Sequence, residues 1–131
     1  MRALLIDPEA RTISEIDFDG EEESIPRLLG CQEVVFEQWP RSWQRHLRIY
    51  SDINAVGNSE LHGFWIPETG GTINHGLCLQ INYDSGSRRL MDCAESLGDV
   101  KRQYRIYMPG RGVYSIYDYH RAGVRGPGDW K

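Results

Sequence analysis

Eight residues near the middle of the chain set terms that the rest must meet. From Gly76 to Tyr83 the side chains alternate: Leu77, Leu79, Ile81 and Tyr83 fall on one face, Cys78, Gln80 and Asn82 on the other. That period of two belongs to an extended strand and not to a helix. Asp84-Ser85-Gly86-Ser87 follows, a turn in which Gly86 can take positive φ, and Arg88–Asp92 returns. A chain with such a hairpin at its centre must build a sheet and cover at least one of its faces.

Other segments supply sheet partners. Arg2–Ile6 is a short apolar strand, Asp7-Pro8-Glu9-Ala10 a turn fixed by proline, and Thr12–Phe18 alternates back, with Ser14, Ile16 and Phe18 on one face. Glu33–Trp39 and Arg45–Tyr50 read as two more strands joined by the stiff Trp39-Pro40-Arg41-Ser42-Trp43 connection. In the second of them Leu47 and Ile49 are expected inward, and His46, Arg48 and Tyr50 outward. Phe64–Ile66 and Tyr104–Met108 are brief strands, and Asp52–Glu60 reads as loop. Helices are few and short. Ser24, Pro26 and Gly30 bracket one around Ile25, Leu28 and Leu29, and Ser96-Leu97-Gly98-Asp99 opens another through Val100–Gln103. The expectation is an α+β domain over residues 1–108, a curved, mostly antiparallel sheet or a partly open small barrel with two short helices, followed by a basic, aromatic C-terminal extension over 109–131.

With 131 residues there is room for one domain. The longest apolar runs, Ala3–Ile6 and Val34–Phe36, fall far short of the ~18 residues of a spanning helix, so no membrane partner is expected. One Arg followed by Asp7 and Glu9 does not read as a signal peptide. Cys31, Cys78 and Cys93 are an odd set without a CxxC pair, which suits reduced thiols in a cytoplasm.

The search for chemistry is mostly negative. His75 and Cys78 have a metal-like spacing, but three positions along a strand put them on opposite faces, and no cofactor or metal site is expected. Neither a GxxxxGK[ST] nor a GxGxxG phosphate loop is present. Scattered His and Cys give no nucleophile signature. The expectation is therefore a protein that is not an enzyme.

Charge and aromatics say more. Residues 1–30 carry −5, residues 31–100 carry −4 and residues 101–131 carry +5. Glu15, Asp17, Asp19, Glu21, Glu22 and Glu23 crowd the first segment, where they could imitate a phosphate backbone against a basic protein groove. Five of the seven tyrosines fall in residues 104–119, interleaved with arginines. They can complete a core, anchor a protein interface or stack on a nucleotide. Arg111, Tyr114, Tyr117, Tyr119, Arg121 and Arg125 are the candidates for the last two roles.

Several stretches carry a family resemblance. Met1-Arg2-Ala3-Leu4-Leu5-Ile6-Asp7-Pro8-Glu9-Ala10-Arg11-Thr12-Ile13, Ile16-Asp17-Phe18-Asp19-Gly20 and Leu28-Leu29-Gly30-Cys31 resemble the start of the family known as domain of unknown function 3846. Gly76-Leu77-Cys78-Leu79, Tyr83-Asp84-Ser85-Gly86 and Ser96-Leu97-Gly98-Asp99-Val100 agree in order, so that the resemblance covers about residues 1–107. It carries over no catalytic residue. It implies a small accessory protein of phages or mobile elements, acting in the cytoplasm of a host bacterial cell as a non-catalytic, anti-CRISPR-like inhibitor of a nucleic-acid-targeting defence system. The implied partner is a host defence protein or its nucleoprotein complex. A nucleotide or oligonucleotide binder that sequesters a signalling nucleotide through the tail is the alternative, a small enzyme a third, and a homodimer is possible.

Overall fold

The computed structural model describes residues 1–69, 72–109 and 130–131. Its main sheet has the order β2-β1-β7-β4-β3, from β1 (Arg2–Asp7), β2 (Thr12–Asp17), β3 (Val34–Ser42), β4 (Arg45–Asp52) and β7 (Cys78–Asp84). A further short strand, β8 (Arg89–Met91), pairs with the end of β7. The second sheet sets β5 (Gly63–Trp65) between β6 (Ile73–His75) and β9 (Arg105–Tyr107). Among the described residues every pairing is antiparallel. Two short helices, α1 (Ile25–Leu29) and α2 (Leu97–Gln103), give with them an α+β fold with a curved sheet and, among the described residues, no closed barrel.

Two of the capping signals hold and one does not: Ser24 precedes α1 but makes no side-chain capping bond, its hydroxyl donating to Asp19 instead. Ser96 accepts from the Asp99 N–H at 3.1 Å and so starts α2. Gly30 closes α1 at φ 68, a left-handed conformation that glycine adopts without strain. The strand alternation is kept too, but both faces of the central strands are covered. Leu4, Ile6, Leu47, Ile49 and Cys78 pack with Phe64, Val100, Tyr104 and Ile106 of the small sheet and α2. On the opposite face Ala3, Tyr50, Leu79 and Ile81 pack beneath Phe18, Ile25 and Leu29. Polar residues at the centre are matched accordingly: Gln80 accepts from the Tyr104 hydroxyl, and Asn82 donates to the His46 carbonyl at 3.1 Å and accepts from the Ala94 N–H at 2.7 Å.

The end of the chain belongs to the first core. Trp130 is buried there, its ring edge-on to Phe64 at 6.4 Å and its Nε1 donating to the Tyr104 carbonyl at 3.1 Å. The Lys131 N–H donates to the Arg11 carbonyl at 2.8 Å. The aromatic enrichment of the C-terminal quarter thus serves the core at Tyr104, Tyr107 and Trp130, all buried.

The outer strand β3 carries its own protection against pairing with other chains. Pro40 lies in it beside a register shift, and Glu37 shares its face with Trp39, which packs on the first core. Burial pushes the Glu37 carboxyl above its ordinary value. The fold therefore disfavours the charged form, and stability falls as pH rises from the ordinary carboxylate range through the raised value. Glu37→Gln is expected to raise the melting temperature at neutral pH, and the gain to vanish in acid where Glu37 is protonated in both states. Paired thermal melts across that range check it.

Candidate functional site

A groove of about 760 Å³ opens beside α1, on the face of the main sheet that the helix packs against. The size lies within the ~300–1,000 Å³ usual for ligand clefts. Its floor is made by Phe36 of β3, Arg48 of β4 and Tyr83 of β7, side chains that the pairings Gln38↔Arg48, Arg48↔Ile81 and His46↔Tyr83 bring onto one face. Its lining also includes the acids Asp19, Glu21, Glu22 and Glu23 and, from the β7–β8 hairpin, Arg88, Arg89 and Leu90.

Arg48 is the centre of the arrangement. Its guanidinium lies over the rings of Phe36 at 3.9 Å and Tyr83 at 3.6 Å from their centroids. Nε donates to Gln38 Oε1 at 2.7 Å, and Nη1 donates to Glu22 Oε1 at 3.0 Å and to the Tyr50 hydroxyl at 2.9 Å. Tyr50 in turn donates to the same Glu22 oxygen at 2.6 Å. Burial and the bond to Glu22 push the Tyr50 phenol up, so the hydroxyl stays a donor. These contacts use three of the five guanidinium N–H groups, and the two on Nη2 have no protein acceptor among the described residues. Arg48 is 8% exposed.

Local sequence explains how Glu22 reaches Arg48. Gly20 turns the chain at φ 84, and Asp19 accepts from the Glu21 N–H at 2.8 Å and from the Ser24 hydroxyl. Those two bonds, the Ser24 one foremost, hold the Asp19 carboxyl below its ordinary value. The single 3-10 turn Glu22–Ser24 then leads into α1. Elsewhere in the lining Arg88 has φ 57, a conformation that costs a side chain of its size free energy. The turn before it is held by Asp84, which accepts from the N–H groups of Gly86 and Ser87.

The six acids expected to act as one surface are divided. Glu15 pairs with Arg2 at 3.0 Å, Asp17 with the Met1 amine at 2.8 Å, and Glu22 with Arg48. Asp19 is occupied by its own turn. Glu21 and Glu23 remain exposed in the groove lining and outside any ion pair among the described residues. Arg111, Tyr114, Tyr117, Tyr119, Arg121 and Arg125 lie outside the described residues. Arg48 and Tyr50 correct the expectation that they face water: both are buried, because the segment from Asp19 through α1 folds over their side of the sheet.

Cys78 and Cys93 are poor nucleophiles in this setting. Burial pushes Cys78 up, and pushes Cys93 up to about 12. Among the described residues, no group of three or more His, Cys, Asp or Glu side chains converges in the manner of a cation site. Nor is any described helix long and apolar enough to cross a membrane.

No family model, no curated protein and no solved structure matches the chain. The resemblance noted above therefore rests on the residues quoted for it.

Proposed function

We propose that this chain works by binding another protein, without turnover, and that the groove around Arg48 is where it does so. The observation that carries this reading is a lining of both charge signs over an aromatic floor. A polyphosphate laid on that floor would meet four carboxylates. A polypeptide, which carries both signs and apolar groups, can satisfy acids and bases at once. Arg and the aromatic residues are also the types that anchor protein interfaces. The biological role proposed with it is that of an accessory protein in a host bacterial cytoplasm, occupying a site on a defence protein. The acids available for such a contact are Glu21 and Glu23 rather than the whole N-terminal block.

Native mass spectrometry of the protein purified from its host tests the reading. A co-purifying protein should be lost from Arg88→Glu/Arg89→Glu and from Glu21→Lys/Glu23→Lys, and kept by Arg105→Glu on the small sheet. A partner retained by both groove variants would dismiss the groove. A co-purifying nucleotide would favour the tail reading instead. That alternative is best probed by substituting Tyr114, Tyr117 and Tyr119, because deleting 109–131 also takes Trp130 out of the core.

A further inference from the structure

Among the described residues, the groove and Trp43 are two features that no other described residue covers. Trp43 is 88% exposed, the most exposed of the large apolar side chains described. It sits on the two-residue loop between β3 and β4, and that loop is tied down. Gln44 holds φ 61, and its carbonyl accepts from the Ser85 N–H at 2.8 Å and the Ser85 hydroxyl at 3.2 Å, which joins this tip to the β7–β8 turn. An indole on a clamped loop gives up little freedom on docking and presents a large, stiff contact area. Arg45, Arg88 and Arg89 belong to the same pair of tips, are exposed, and form no ion pair among the described residues. The molecule thus carries an aromatic, basic projection. It also carries a groove with an aromatic floor, where Phe36 is 45% exposed, and an acidic lining at Glu21 and Glu23.

We propose that the groove receives the β3–β4 tip of a second copy of this chain. In the resulting two-fold dimer Trp43 of each copy lies on the floor around Phe36 and Arg48 of the other, and Arg88 and Arg89 of each approach Glu21 and Glu23 of the other. Two-fold symmetry makes each such contact occur twice and closes the pair, leaving neither projection nor groove unused. This inference rests on reading the groove as a protein-docking surface, and names its occupant when no host partner is bound. Dimer formation and host-protein binding are then mutually exclusive.

Sedimentation equilibrium of the full chain over a wide concentration series tests it. The mass should double with concentration, and added salt should weaken the dimer. Trp43→Ala should raise the dissociation constant at least about tenfold, with an unchanged melting temperature at concentrations where both proteins are monomeric, because the side chain is exposed. Glu21→Lys/Glu23→Lys and Arg88→Glu/Arg89→Glu should each weaken self-association, and an equimolar mixture of the two variants should restore it, since every facing pair then has opposite signs. A monomer at all concentrations, a dimer indifferent to Trp43→Ala, an open-ended polymer or a mixture without rescue overturns the proposal. Loss of a host partner in the groove variants of a monomeric chain would leave the functional reading standing while this one falls.

Discussion

Trp130→Ala is expected to lower the unfolding free energy by about 3–5 kcal/mol, the usual cost of truncating a large buried aromatic. For a domain of this length that corresponds to a drop of roughly 10–20 °C in melting temperature. The indole fills space against Phe64, and its Nε1 satisfies the Tyr104 carbonyl. Removal leaves a cavity and a carbonyl without its donor. Trp43→Ala is the natural comparison, since the same change at a side chain 88% exposed should stay within about 0.5 kcal/mol. Urea unfolding of the two variants beside the parent measures both. A loss under about 1 kcal/mol for Trp130→Ala, well below the usual range for a buried aromatic, would show that the indole is not part of the core.

The second large effect is expected at Arg48. Arg48→Ala removes two ring contacts and charge-assisted bonds to Glu22 and Gln38, and should cost about 2–4 kcal/mol of stability. Arg48→Lys should recover less than half of that. An ammonium cannot lie flat between Phe36 and Tyr83 while donating in three directions. Glu22→Ala should cost much less, about 1 kcal/mol or below, because the carboxylate is half exposed and the arginine keeps its rings and Gln38. Thermal and urea unfolding of the three variants gives the order. Equal losses for Arg48→Lys and Glu22→Ala would show that charge alone, not shape, holds the floor together. If the groove binds a protein, Arg48→Ala should also weaken capture by about thirtyfold or more, the scale of an interface hot spot.

How far the sequence carries can be judged at particular residues. The alternation of Leu77 to Tyr83, the Ser96 cap and the glycine at position 30 are local signals that the structure keeps. The turn after Asp84 forms as well, but its positive φ falls on Arg88 and not on Gly86. Three residues, Ile73–His75, are too few for any period to show, and β6 has no sequence signal of its own. The floor of the groove was illegible for a different reason. Arg48 and Tyr50 alternate with Leu47 and Ile49 as outward residues of a half-buried strand should. Only the fold of a remote segment, Asp19 to Leu29, decides that their face is covered as well. The acids failed as a group likewise. Composition places Glu15, Asp17, Asp19 and Glu22 together, but their fates depend on Arg2, the Met1 amine, Ser24 and Arg48, and the last of these is distant in sequence. The one sequence signal that could have singled out Arg48 is an arginine inside an otherwise apolar-alternating strand, which fits an exposed position equally well.

The place of β7 governs the order in which the chain can acquire its shape. β7 hydrogen-bonds to β1 on one side and β4 on the other, and Leu4 finds Gln80 across most of the polypeptide's length. As a nascent chain leaves the ribosome, β1–β2 and β3–β4 can each form a hairpin, yet neither has its central neighbour until residues 78–84 emerge. Two half-sheets with open inner borders must wait, and such non-local closure is slow and prone to clumping. Slowing synthesis before Cys78 should therefore lower the soluble yield, whereas slowing it after Asp84 should not.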